Sequence, residues 1–155
     1  QIPTNSKTTG AYVNSVLASL EADSNGYVEA IVLNKEGNVA EGPGENIFLV
    51  RDGEIYTTGL AESILDGITR WSLLRIARDS RAAAPADAPI PGAELYTAAE
   101  LFLTGTAAEV TPIRSVDDNQ IGSGTKGRFT DEIQTTFFDI LDGAPAEYDG
   151  WFRSV

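Results

Sequence analysis

The segment NIFLVRDGEIYTT (46–58) constrains the fold more than any other, because a hairpin signal separates two strand-like runs within it. Asp-Gly is a preferred dipeptide for a two-residue hairpin turn, in which both residues adopt positive φ angles. The segment therefore predicts two strands joined at Asp52-Gly53. Further strand-like runs are predicted at 27–34, 39–40, 100–105 and 109–117, with a hairpin turn at 35–38.

Three segments have the apolar spacing of amphipathic helices, and a shorter helix is expected near 92–98. The apolar residues concerned are Tyr12, Val13, Val16, Leu17 and Leu20 in 10–25; Ile68, Trp71, Leu74, Ile76 and Ala77, predicted to face inward, in 66–80; and Phe129, Ile133, Phe137, Ile140 and Leu141, predicted to be buried, in 128–141. Residues 81–94 are rich in Ala and Pro and indicate an irregular or edge segment, and 117–127 is turn-rich. Because helices and strands do not alternate strictly, the expected fold class is α+β.

The charge balance restricts the partners of the protein. The 155 residues suffice for one domain, and 23 acidic against 11 basic residues give a net charge of −12. Nucleic acid and anionic membranes require a positive surface, so we expect neither as a partner. No apolar run approaches the roughly 20 residues of a membrane span, and no signal-peptide pattern is visible. We therefore expect a cytoplasmic protein.

The absence of Cys and His from the sequence limits the possible chemistry. It excludes a cysteine nucleophile, a thiolate metal site and any Ser-His-Asp mechanism within this chain. Catalysis must use Lys, Tyr, carboxylates or a cofactor, and no metal site is expected. Met is also absent, including at position 1, and the polar residues 1–9 have the composition of a linker. We expect the chain to be part of a longer protein.

The most unusual motif is EGPGEN (41–46), which precedes a strand-like run. It lacks the third glycine and the following helix of a dinucleotide fingerprint, and the Lys and Ser/Thr of a P-loop. Taken alone, it is most simply interpreted as a Gly-Pro-Gly turn with two solvated glutamates.

Two Thr-containing turns could bind an anion. DGITR (66–70) begins a helix, whose free N–H groups favour negative charge, although capping by Asp66 or Thr69 is the commoner explanation. LTGTAAEV (103–110) could offer further N–H groups or be a tight bend. Lys7 could be a surface charge or a Schiff-base amine, and Tyr12 a core aromatic or a ligand-binding hydroxyl.

Taken in order, these motifs resemble a known family. KTTGAYVNSVLA from Lys7, AEGPGENIF, SILDGITR and FLTGTAAEVTPIRSVD are similar to the signature segments of class IV pyridoxal-phosphate-dependent aminotransferases, most closely the branched-chain amino acid aminotransferases. The similarity extends from Lys7 to DGWF near the end of the chain. It implies the α+β fold of the larger C-terminal, cofactor-binding domain of this group, known as fold-type IV.

The resemblance also implies roles for individual residues around the cofactor, pyridoxal 5'-phosphate. Lys7 matches the lysine that forms the Schiff base and transfers the proton between the substrate α-carbon and the cofactor, and Tyr12 matches the tyrosine that binds the phenolate oxygen. Glu41 matches the acid paired with the pyridinium nitrogen, which keeps that nitrogen protonated. The remaining matches are Leu65 against the ring; Gly67, Ile68, Thr69, Gly105 and Thr106 at the phosphate; and Thr106, Ala107 and Ala108 at the substrate carboxylate.

Family members have a second, smaller N-terminal domain, which supplies further groups to the pocket and across a dimer interface. The resemblance therefore implies that 1–9 belong to the interdomain linker, that 10–155 are the cofactor-binding domain, and that the N-terminal domain is absent from this chain. Asp66 stands where many relatives carry Pro, and GLAES replaces a Pro-containing run before it, so the loop near the cofactor is expected to differ in shape.

Three hypotheses follow. The first is a transaminase domain whose intact, oligomeric enzyme transfers the amino group of a branched-chain L-amino acid to 2-oxoglutarate. Within the same class, D-amino acid aminotransferases, amine transaminases and aminodeoxychorismate lyases are the alternatives. The second is a fragment with little or no activity, which would expose apolar surface and self-associate. The third is an unrelated acidic binding domain, for which the ordered motifs would be a coincidence.

Overall fold

The computed structural model describes residues 6–80, 86–143 and 146–151. The helices are α1 (Tyr12–Ser24), α2 (Ile68–Asp79) and α3 (Arg128–Leu141), and short 3-10 helices occupy Thr9–Ala11, Leu60–Glu62, Gly92–Thr97 and Ala146–Trp151. The strands are β1 (Val32–Leu33), β2 (Val39–Glu41), β3 (Asn46–Arg51), β4 (Glu54–Thr57), β5 (Ala86–Asp87), β6 (Glu100–Gly105), β7 (Glu109–Pro112), β8 (Ser115–Val116) and β9 (Asn119–Gln120).

The predicted hairpin at Asp52-Gly53 is confirmed and lies in the central sheet. Asp52 and Gly53 have φ angles of 53° and 79°, and β3 pairs with β4 from Phe48–Thr57 to Arg51–Glu54. The five strands are ordered β5-β4-β3-β6-β7, and only the β4–β5 pair is parallel. The sheet is therefore mainly antiparallel, as expected of an α+β fold.

The central strands are buried on both faces because their alternate side chains enter two separate clusters. Phe48 of β3 stacks on Phe102 of β6, its cross-strand partner, with ring centroids 5.0 Å apart, and both lie in the cluster under α2 and α3. Ile47 and Leu49 point into the second cluster, which also contains Val39, Leu101 and Leu103. Period-2 alternation thus fixes the register, since a slip by one residue would exchange the two clusters.

The carboxylate of Glu100, the first residue of β6, links the N-terminus of α3 to the sheet by hydrogen bonds. Glu100 accepts hydrogen bonds from the N–H groups of Phe129 and Thr130 at 3.0 and 2.8 Å, and from the Thr130 hydroxyl at 2.7 Å. This pairing satisfies N–H groups at the start of α3, which lack partners within the helix.

Some predicted inward faces are wrong. Ile68 and Trp71 are 85% and 55% exposed, whereas Leu73, Leu74, Ile76 and Ala77 are buried. At 100° per residue, positions 68 and 71 lie on the side of α2 opposite to 73, 74 and 77, which face the sheet. Leu141, the last residue of α3, is also exposed, at 53%. Ile133 and Ile140 are buried as predicted, and Phe129 and Phe137 are partly buried against the same cluster.

Two predicted strands are shorter than expected. The run 27–34 forms a strand only at Val32–Leu33, which pairs with Glu41 and Val39 of β2, and Val28 is fully exposed. The run 109–117 is divided into β7 and β8, because the chain leaves the central sheet after Pro112 to form a hairpin with β9. The edge segment predicted in 81–94 contributes β5, and its residues 81–85 lie outside the described residues.

The apolar residues of α1 do not enter the core. Val13, Val16, Leu17 and Leu20 are between 55% and 63% exposed, and Ala22 is the buried residue of this helix. Because they recur at helical spacing, they form one exposed apolar stripe, which is named here the α1 stripe.

Candidate active site

A cleft of about 360 Å³ lies between the start of α1 and the loop that follows β2. Four of the residues assigned by the resemblance line it together: Lys7, Tyr12, Glu41 and Leu65. They come from the segment before α1, the first turn of α1, the end of β2 and the loop before α2. The fold thus places the amine and phenol of one short segment around the same cavity as the carboxyl group of Glu41, about 30 residues later in the sequence.

Glu41 has the environment of a functional carboxyl group. Its Oε2 atom accepts hydrogen bonds from the Leu65 N–H at 2.9 Å and from Asn46 Nδ2 at 3.1 Å. Burial raises the pKa of Glu41 to about 7; the Leu65 N–H opposes this rise and the Glu45 carboxylate adds to it. A carboxyl group that titrates near neutral pH can hold or release a proton under physiological conditions.

The Gly-Pro-Gly turn is confirmed, but the interpretation of two solvated glutamates is wrong. The Gly42 N–H donates to the Glu45 carbonyl at 2.7 Å, and the Gly44 N–H donates to Glu45 Oε2 at 3.0 Å. Glu45 also lines the cleft, and burial raises its pKa. Both acids are half-buried and are therefore not freely solvated.

The N-terminus of α2 has no side-chain cap. Gly67 is the N-cap residue and no side chain caps the helix, so neither Asp66 nor Thr69 fulfils the predicted capping role. Among residues 6–80, 86–143 and 146–151, no acceptor reaches the N–H groups of Ile68, Thr69 or Arg70. These groups are available to an anion, in contrast to those at the start of α3.

The predicted phosphate residues at the start of α2 do not line the cleft itself. Ile68 is largely exposed and Thr69 is half-buried. Gly67 adjoins the cleft through Asn46, since a Cβ atom on Gly67 would lie 2.3 Å from Asn46 Oδ1. The assignment of these three residues to a phosphate stays a prediction.

The turn between β6 and β7 lies at the rim of the cleft. A Cβ atom on Gly105 would lie 3.1 Å from the Gly44 carbonyl oxygen, so the turn packs against the loop that contains Glu41 and Glu45. Thr106 and Ala107 are exposed, and Ala108 is half-buried. Their roles at the phosphate and the substrate also stay predictions.

Sequence reasoning missed two buried polar residues next to the site. Asn46 is 4% exposed and binds both Glu41 and the Leu65 carbonyl. Arg70 is 3% exposed and donates to the Thr58 carbonyl at 3.0 Å and to Asp87 at 2.7 Å, while its Nε atom has no partner in the described part of the chain. Both were visible as the last letters of EGPGEN and GITR, and Arg70 shares the helical face of Leu73, Leu74 and Ala77.

The described ranges contain neither a metal-binding cluster nor a membrane-spanning helix. No three acidic side chains there are grouped so that they could hold a metal ion. None of the helices there is long and apolar enough to cross a membrane.

Comparison with known proteins identifies the family of the chain. The sequence model of the amino-transferase class IV family matches residues 1–116. The probable branched-chain-amino-acid aminotransferase of Aquifex aeolicus is 46% identical over 154 residues, which are 99% of this chain and 50% of that protein. The chain therefore spans about half the length of the curated relatives it matches.

Solved structures confirm the fold. The branched-chain amino acid aminotransferase of Escherichia coli superposes with a TM-score of 0.95 at 40% identity, over 99% of this chain and 51% of that one. The enzyme of Thermobaculum terrenum in its PLP-form superposes with a TM-score of 0.94 at 37% identity, over 97% and 49%. Both likenesses support the expected fold-type IV α+β architecture, and with the matched motifs they show that this chain belongs to the class IV aminotransferase family.

Proposed function

We propose that this chain is the pyridoxal-phosphate-binding domain of an aminotransferase, and that the intact enzyme transfers the amino group of a branched-chain L-amino acid to 2-oxoglutarate. The observation that carries the proposal is that Lys7, Tyr12 and Glu41 line the same cleft. The names of the similar proteins support the substrate class, and the PLP-form of the Thermobaculum terrenum enzyme supports the cofactor.

The residues present fit this cofactor. Its aldehyde requires an amine, its phenolate a hydroxyl donor and its pyridine nitrogen a carboxylate, and Lys7, Tyr12 and Glu41 offer these groups in one cavity. Its phosphate requires N–H donors, which the uncapped start of α2 offers at Ile68 and Thr69.

Pyridoxal phosphate, when bound, supplies a conjugated ring that accepts the electron pair left on the substrate α-carbon. Lys7 would hold the cofactor through its ε-amine, and as a free amine it would move the proton at the substrate α-carbon. Glu41 would pair with the ring nitrogen, and a positive charge at that nitrogen would stabilise the ionised carboxylate. Thr106, Ala107 and Ala108 belong in this proposal to the turn that receives the substrate carboxylate.

The proposal includes the domain organisation. Residues 1–9 are an interdomain linker and 10–155 the cofactor-binding domain, and the intact enzyme has an N-terminal domain and assembles as a homo-oligomer in the cytoplasm. The half-length match to the relatives supports the further N-terminal domain. The α1 stripe supports an assembly, because it is a contiguous apolar surface that a partner domain or subunit would cover.

A second candidate is that the isolated chain binds cofactor but turns over little or not at all. The exposed α1 stripe favours this candidate. Tyr12, which lines the cleft, is on the same helix as the stripe, so a partner that covers the stripe would lie next to the cleft. An incomplete wall around the substrate would lower the rate even where the cofactor-binding residues are in place.

The test is a spectrum of the purified chain after incubation with pyridoxal phosphate. We expect a near-visible band of bound cofactor that decays when L-leucine or L-valine is added and returns with 2-oxoglutarate. A band that D-alanine or a simple amine bleaches instead would assign another class IV activity. A band that no donor changes would select the second candidate, and the absence of any band would refute the cofactor proposal.

Glu41→Gln separates cofactor binding from chemistry. The amide keeps the size of the side chain but cannot oppose a protonated ring nitrogen with a negative charge, so we expect the cofactor to remain bound and turnover to fall severely. An unchanged rate would refute the role of Glu41 at the ring nitrogen.

A further inference from the structure

Asn46 contacts the Glu41 carboxylate although the matched motifs assign it no role. It is the first residue of β3 and is 4% exposed. Its Nδ2 atom donates to Glu41 Oε2 at 3.1 Å and to the Leu65 carbonyl at 2.9 Å. One amide group therefore joins the end of β2 to the loop before α2.

Two hydrogen-bond acceptors determine the orientation of this amide. The nitrogen side faces two acceptors, whereas Oδ1 lies 2.3 Å from the position that a Cβ atom on Gly67 would occupy. Gly67 thus leaves the space that Oδ1 fills. A flipped amide would direct its oxygen at the Glu41 carboxylate and the Leu65 carbonyl, which are both acceptors, so the observed orientation is the favourable one.

Asn46 and Leu65 together hold a single oxygen of Glu41. The Leu65 N–H and Asn46 Nδ2 both donate to Oε2, and within the described part of the chain no hydrogen bond reaches Oε1. A carboxylate pinned at one oxygen loses its rotational freedom and keeps the second oxygen available for a ligand in the cleft.

We infer that Asn46 is a positioning residue, which holds Oε2 of Glu41 so that Oε1 is presented to the ring nitrogen of the cofactor. This inference rests on the proposed function for the identity of the ligand. Asn46 has a second effect, because donors to an ionised carboxylate favour its charged form. The Asn46 donor is therefore expected to act in the same direction as the Leu65 N–H, which lowers the pKa of Glu41.

The first test uses the protein without cofactor. Asn46→Asp keeps the size of the side chain but removes the N–H donor, and Asn46→Ser makes the side chain too short to reach Glu41. Asn119→Asp, on the exposed β8–β9 hairpin, is the control. Carbon-13 labelled glutamate side chains report the titration of Glu41 by NMR. The signal that is missing from the spectrum of Glu41→Gln identifies Glu41. We expect both Asn46 variants to raise the pKa of Glu41 above about 7, and the control to leave it unchanged. The same titration in all variants would overturn the inference.

The second test compares pyridoxal phosphate with an analogue in which carbon replaces the ring nitrogen. A hydrogen bond to a charged group contributes about 1.5–3 kcal/mol, so we expect the unaltered chain to prefer pyridoxal phosphate by about tenfold or more. The Asn46 variants should lose most of this preference while the affinity for the analogue stays similar. A preference retained in both variants would overturn the inference.

The two proposals fail in different ways. Binding of neither molecule would refute the proposed function, and the titration of Glu41 would then decide the role of Asn46 by itself. Equal binding of both molecules by the unaltered chain would refute the contact of Glu41 with the ring nitrogen, and with it this inference.

Discussion

Gly67 and Asn46 share a space that holds only one side chain. A Cβ atom on Gly67 would lie 2.3 Å from Asn46 Oδ1, well inside contact distance. The glycine of GITR therefore allows the asparagine of EGPGEN to enter between the end of β2 and the start of α2. The two motifs, about 20 residues apart in sequence, form one packed unit that reaches the cleft through Asn46.

Gly67→Ala should disturb this unit. Because Asn46 is buried and bonded to Glu41 and Leu65, it cannot move aside freely, and we expect the free energy of unfolding to fall by about 1–3 kcal/mol. Urea denaturation measures the change. Gly44→Ala is the matched control, since a Cβ atom there meets no atom within 4 Å; equal losses in both variants would contradict the steric explanation.

Glu41→Gln should stabilise the protein in a pH-dependent manner. Burial raises the pKa of Glu41 from its ordinary value of 4.5 to about 7 in the folded state, so the folded protein binds the extra proton between these values. Folding then opposes ionisation of Glu41, and this unfavourable contribution grows as pH rises from about 4.5 to 7 and is complete above 7.

The Gln variant avoids this contribution. After allowance for solvent screening of a partly exposed group, we expect it to be more stable than the unaltered chain by on the order of 1 kcal/mol at pH 8, and equally stable below pH 4.5. Denaturation curves at both pH values give the comparison. A difference that is independent of pH would exclude the titration of Glu41 as its cause.

Lys7→Ala should abolish the near-visible band of bound pyridoxal phosphate, because the proposal assigns covalent attachment to the Lys7 amine. Borohydride treatment followed by peptide mass mapping should also locate the cofactor on Lys7 in the unaltered chain. Lys35→Ala is the control, since the Lys35 side chain is 89% exposed and does not line the cleft. A band that survives in Lys7→Ala would remove the central assignment.

Arg70→Ala should destabilise the loop between β4 and α2. The Arg70 guanidinium binds the Thr58 carbonyl and Asp87, so its loss leaves a buried acceptor without a partner and should cost about 2–3 kcal/mol. Arg78→Ala, at an exposed position of the same helix, should change stability by less than about 0.5 kcal/mol. Thermal melting compares the two, and similar shifts would argue against the buried contacts.

Glu100→Gln should weaken the attachment of α3 to the sheet. The carboxylate accepts three hydrogen bonds at the helix start, and an amide retains one acceptor oxygen and no charge to oppose the helix dipole. We expect a loss of about 1–2 kcal/mol, with Glu54→Gln on the exposed side of β4 as the control. Hydrogen exchange of the first α3 amides should accelerate only in Glu100→Gln, and unchanged exchange would contradict the capping role.

The elements with short-range signals were predictable. The Asp52-Gly53 hairpin, the strand at 100–105 and the helix at 128–141 follow from turn chemistry and periodicity, and these local rules agree with the final fold. The inward face of α2 was not predictable in full, because the apolar pattern alone did not show that Arg70 would be buried and Ile68 exposed. The length of the 27–34 strand depended on which backbone partners it would meet.

The sequence by itself determined the residue types of the candidate site and their order: an amine at Lys7, a phenol at Tyr12 and an acid at Glu41, with no histidine or cysteine to compete for their roles. The tertiary structure decided that these groups line one cleft, that burial raises the pKa of Glu41, and that Asn46 holds one of its oxygens. The reason is physical: desolvation and hydrogen-bond geometry depend on which distant segments pack around a group, and neighbours in sequence do not specify that packing.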